Sequence, residues 1–77
     1  MVIKVGDKIK LTKDLMLIRR NYLPDMFAGT TQTVVYADND NKNYQFHSNY
    51  NRFDVIWIVR SYQIVSIISK NTQMYFR

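Results

Sequence analysis

The sequence contains no cysteine, so disulfides and thiolate-bound metals are excluded from the outset. It contains no glutamate either: all six acidic residues are aspartate. Glu, Ala and Leu are strong helix formers, yet Ala occurs only at positions 28 and 37 and Leu only four times. Two glycines, Gly6 and Gly29, are too few for a phosphate-cradling glycine loop. No apolar run approaches the roughly 20 residues that span a bilayer. The longest, Val55 to Val59, has the length of a buried strand. The charged, alternating N-terminal stretch, Met1 to Lys13, is not a signal peptide. A cytoplasmic location is the expectation.

What remains is a strand-forming composition. Ile and Val number fifteen, with six Tyr and four Phe among 77 residues. A chain this short buries only about 60% of its unfolded surface, which limits it to one small domain. At 47% apolar residues it is too hydrophobic to stay disordered. The many Asn, Ile and Tyr codons suggest an AT-rich genome, as in a low-GC bacterium, its phage or a mobile element.

Alternation with period two marks the strands. Lys8 to Thr12 alternates, with Ile9 and Leu11 inward. Thr30 to Asp38 is rich in strand formers, Tyr44 to Ser48 alternates again, Asp54 to Arg60 is apolar on both faces, and Ile64 to Ile68 forms a last strand. Between the first and second lies a long connection, Thr12 to Gly29. Polar stretches at 38–43 and 49–52 read as hairpin turns, and Ser61-Tyr62-Gln63 as a short break. The chain therefore reads as one all-β domain over residues 1–70. Residues 71–77 form a tail or, from Thr72 onward, a sixth, edge strand.

This pattern resembles the small five-stranded barrels of the Src-homology-3 type, a superfamily that includes KOW and Tudor domains. The resemblance rests on Val5-Gly6-Asp7-Lys8-Ile9-Lys10-Leu11, on Gly29-Thr30-Thr31-Gln32-Thr33-Val34-Val35, and on Arg60-Ser61-Tyr62-Gln63-Ile64-Val65. It implies a small barrel of five, or with the C-terminal edge strand six, strands with a long loop after strand 1, in which the first and last strands pair. The peptide-binding members of that superfamily carry acids in the long loop, whereas this loop carries Arg19 and Arg20.

Nothing in the sequence assembles a catalytic site. His47 is the only histidine and has no acid beside it in sequence. The run Asp38-Asn39-Asp40-Asn41 echoes a calcium loop, but Asn43 and Asn49 stand where Gly and a bidentate Glu are needed. The expectation is a binding protein with no catalytic residue, cofactor or metal.

Charge is the informative feature. The net charge is +5, and residues 1–20 carry six positive charges against two negative. Residues 60–77 carry three positive and no negative charges, while 21–59 are net negative. If the first and last strands pair, a basic face forms away from the 38–43 turn. Such a face attracts phosphate backbones. The candidate phosphate contacts are Lys8, Lys10, Arg19, Arg20, Arg52 and Arg60, with Tyr22 and Tyr50 as stacking platforms. The alternative partner is an acidic protein surface, as for a small phage-encoded protein that binds and modulates a host enzyme. A third reading is a structural subunit that oligomerises through strand 54–60. The contact would be Val55, Trp57 and Val59, or the opposite face, Ile56 and Ile58. No membrane partner is expected, and a monomer is slightly favoured over a homodimer.

Overall fold

The computed structural model describes residues 2–69. Five antiparallel strands form one sheet: β1 Lys8–Leu11, β2 Thr31–Asp38, β3 Asn43–Tyr50, β4 Phe53–Arg60 and β5 Ile64–Ile68. Their spatial order is β4-β3-β2-β1-β5, so the expected pairing of first and last strands is present, and β4 and β5 are the edges. A sixth strand over 72–77 falls outside the described residues. No helix among the described residues is long and apolar enough to cross a membrane.

Local chemistry fixes the two hairpins. Tyr50 pairs with Phe53, leaving a two-residue loop in which Asn51 and Arg52 both have positive φ (51° and 70°). That is the backbone a tight hairpin needs to match strand twist. The β2–β3 turn is longer. Asp38 accepts hydrogen bonds from the backbone N–H and side-chain amide of Asn41, and Lys42 takes the left-handed conformation at φ 54°. A bulge between Val34 and Tyr36 lets β2 bend.

Inward residues of the strands build the core. Ile9 and Leu11 of β1, Val34 of β2, Tyr44 and Phe46 of β3 and Val59 of β4 are all buried. Ile9, Leu11 and Phe46 are the residues that alternation assigns to the interior. Of β5, Ile64 is half-buried and Val65 exposed. The long connection adds Ile18, Leu23 and Phe27 to the same cluster. Its order comes from a four-residue helix, α1 (Leu15–Ile18), capped by the Asp14 side chain, and from 3₁₀ turns at Arg19–Asn21 and Asp25–Phe27.

The sheet does not close. The backbone groups that a ladder on the outer edge of β4 would use are taken at its C-terminal half. The Asn21 side chain donates to the Ile58 carbonyl at 2.9 Å, and the Arg60 N–H donates to Gln63 Oε1 at 2.9 Å. Gln63 belongs to a third 3₁₀ turn, Ser61–Gln63, that links β4 to β5. Its side-chain amide donates to the carbonyls of Leu17 and Ile18 at 2.8 and 3.1 Å and to Asn21 Oδ1. The long connection is thereby tied to β4 and to the turn after it, in place of a closing ladder. The barrel expected from the sequence is thus an open five-stranded antiparallel sheet.

Candidate functional site

The eight predicted binding residues do not converge on one cluster. Lys8 and Lys10 project from the outer face of β1, both exposed. Their cross-strand partners are Thr33 and Thr31 on β2 and Ile68 and Ser66 on β5. None of the four is acidic, so the two ammonium groups stand in a field of hydroxyls and aliphatic carbon.

Arg19 and Arg20 lie on the 3₁₀ turn after α1 but are differently engaged. Arg19 forms a bidentate ion pair with Asp25: Nε to Oδ1 at 2.9 Å, and the terminal nitrogen to Oδ2 at 2.7 Å. The hydrogen bond raises the guanidinium's affinity for its proton and holds the Asp25 carboxyl below its ordinary range. The charge of Arg19 is met locally. Arg20 instead sits over the ring of Tyr62, 5.7 Å from its centroid, keeping its charge toward solvent. Tyr22 caps the turn in the left-handed conformation, φ 66°, and is 88% exposed. An aromatic ring left that open on a strained backbone does no packing work.

Tyr50 does pack. Its ring meets Trp57 edge-on at 5.6 Å, and Trp57 in turn meets Phe27 of the long connection at 5.4 Å. Trp57 is therefore shielded by the chain's own loop and hairpin. Val55, Trp57 and Val59 all lie on the inner face of β4, opposite Ser48, Phe46 and Tyr44, and Val59 is fully buried. Outward from β4 point Ile56 and Ile58.

Arg52 lies in the turn just before β4 and Arg60 at the far end of that strand. Along eight residues at about 3.4 Å each they are about 27 Å apart. Arg60 is not withdrawn from the 38–43 turn, as the charge pattern suggested. It pairs with Asn43, and its guanidinium donates to the Asn41 carbonyl at 3.3 Å. The chain's amino-terminal segment reaches the same turn, where the Ile3 N–H and carbonyl both bond to the Asn39 side chain. Two cations, Lys42 within the turn and Arg60 beside it, thus accompany its acids, with a shallow pocket of about 170 Å³ lined by Asn39, Lys42, Tyr44 and Ser61.

Two features escaped sequence reasoning. His47 does have an acid beside it: its Nε2 lies 3.1 Å from Asp54 Oδ1 across the β3–β4 ladder. Fixing the two-residue turn at 51–52 would have placed Asp54 diagonal to His47. Tyr62, read as part of a break, is the ring that supports Arg20. Among the described residues no group of three or more His, Asp or Glu could hold a metal ion.

No family model matches this chain, and no curated protein and no solved structure matches it.

Proposed function

We propose that this protein is a small non-catalytic module that binds nucleic acid through its phosphate backbone. The observation that carries this reading is the placement of Lys8 and Lys10 on the outer face of β1, with no acid among the residues paired with them on either flanking strand. Ammonium groups free of neighbouring carboxylates release counterions when they meet phosphates, and hydroxyls such as those of Thr31, Thr33 and Ser66 add hydrogen bonds to phosphate oxygens. On the long connection, Arg20 and the exposed Tyr22 offer a further cation and a ring on which an unpaired base can stack. Arg19 contributes little to it, because Asp25 holds its guanidinium.

The test is a salt titration of binding to mixed-sequence single- and double-stranded oligonucleotides. The expected slope of log affinity against log salt is about −0.9 per phosphate contact on duplex and about −0.7 on single strands. Replacing Lys8 and Lys10 with Ala should flatten it by about one to two units without changing base preference. A folded protein with no affinity for either at ~50 mM salt overturns the reading. The same cations would then fit an acidic protein surface.

A further inference from the structure

We infer that the outer face of β2, β3 and β4 is a self-complementary surface that pairs with a second copy of this chain. The outward residues of β4 are Asp54, Ile56, Ile58 and Arg60 in order: acid, apolar, apolar, base. Ile56 and Ile58 are 56% and 47% exposed, and the row continues onto Tyr36 of β2, 46% exposed, through the intervening Gln45. An apolar strip bounded by opposite charges is palindromic in chemistry. Laid against its own copy with the strands reversed, it sets Ile56 on Ile58 of the copy and Asp54 on Arg60 of the copy, each contact made twice. That is the condition for a closed two-fold interface, in which one patch recognises itself.

The edge of β4 does not offer the same opportunity. Asn21 occupies the Ile58 carbonyl and Gln63 the Arg60 N–H, so a second strand cannot add along its C-terminal half. The face, not the edge, is open. Sheets that pack face to face lie ~10 Å apart and cross at ~30°, a geometry that leaves the capping loop undisturbed. Both charged ends keep capacity for the contact: Asp54 uses only Oδ1 toward His47, and Arg60 uses one guanidinium nitrogen toward Asn41. Three strands of eight residues present a face about 27 Å by 14 Å. That is below the ~800 Å² each partner gives to a standard interface. The dimer is therefore weak and concentration-dependent. Its named contacts, Tyr36, Gln45, Asp54, Ile56, Ile58 and Arg60, include none of Lys8, Lys10, Arg20 and Tyr22, so variants at these positions leave the proposed phosphate and stacking residues in place.

The experiment is sedimentation velocity from ~10 µM to ~1 mM at low and high salt, with thermal melts on every variant. The wild type should shift toward the dimer as concentration rises, less so in high salt. Ile56→Lys should remain monomeric with its melting temperature unchanged. Asp54→Lys and Arg60→Asp should each weaken association about tenfold, and the two together should restore it, because the reversed pair again meets its complement. A monomeric wild type at ~1 mM, a dimer indifferent to Ile56→Lys, or a double variant no better than the singles each overturns the proposal. If the wild type is monomeric but Ile56→Lys abolishes binding to nucleic acid or to another protein, the face belongs to that partner and not to a second copy.

Discussion

The side-chain amide of Gln63 donates to the carbonyl of Leu17 at 2.8 Å, joining the turn that precedes β5 to the helix that follows β1. Gln63 is fully buried and makes its other contacts to Ile18, Asn21 and Arg60. It is a polar side chain at the centre of an apolar domain, with both its amide nitrogen and its amide oxygen hydrogen-bonded.

Replacing Gln63 with Leu keeps the volume and removes these bonds. A hydrogen bond contributes about 0.5–1.5 kcal/mol net, so losing the four made by this side chain should cost several kcal/mol. In a domain of this size that lowers the melting temperature by more than 10 °C, at about 4–8 °C per kcal/mol. Gln63→Glu should be at least as damaging at neutral pH, since a carboxylate cannot donate to the two carbonyls. A thermal melt within ~2 °C of wild type for either variant would show that the loop is held by other means.

Arg52 sits at φ 70° in the two-residue hairpin, a backbone that favours glycine. Arg52→Gly should therefore raise stability by about 0.5–1 kcal/mol, read from the denaturant midpoint. If the arginine also meets phosphate, the same variant should lose up to about one unit of salt slope. Unchanged or lowered stability would mean that Arg52 gains more from its surroundings than the turn loses in strain.

Arg19 and Arg20 are adjacent in sequence and opposite in expected effect. Arg20→Ala should flatten the salt dependence of nucleic-acid binding by about one unit on duplex. Arg19→Ala should weaken binding less, and would do so by freeing Asp25 as an unpaired acid near the surface. Equal losses for the two variants would contradict the ion-paired state of Arg19.

Asp25 and Asp38 both titrate below the ordinary carboxylate range, the first through the hydrogen bond from Arg19 and the second through those from Asn41. A depressed folded-state value stabilises the fold above the unfolded-state value, and that contribution is lost as pH falls through the depressed one. Carboxyl carbon shifts followed by NMR should place both midpoints low, and Asn41→Ala should raise that of Asp38 alone. A midpoint for Asp38 that ignores Asn41→Ala would assign the depression to another source.

The strands were legible because alternation is a direct record of which face is wet. Ile9 and Leu11 against Lys8 and Lys10, or Tyr44 and Phe46 against His47, leave little choice of side. Strand β4 was not legible in this way. Both of its faces are apolar, and only pairing with β3 assigns Trp57 inward and Ile58 outward. Nor could the buried role of Gln63 be read, since the carbonyls its amide reaches lie more than forty residues away in a loop without periodicity. Closure failed as an expectation for the same reason: it depended on what occupies the edge of β4, which is two side-chain amides. On the candidate surface, sequence identified which residues are cationic but not which are already paired, as Arg19 is and Arg20 is not.

The pairing of β1 with β5 also sets the order in which the molecule can assemble. The β2–β3–β4 meander joins neighbours in sequence through short turns and closes at little entropic cost. Lys8 meets Ile68 only after nearly the whole described chain has been gathered. Non-local pairing of this kind is slow relative to hairpin formation. During biosynthesis β1 and the meander emerge first, and the outer edge of β1 stays unpaired until β5 follows. Substitutions in β5 should therefore slow or speed the completion of folding differently from those in β3, and the interval before β1 and β5 meet is when this chain is most exposed to proteases and to aggregation.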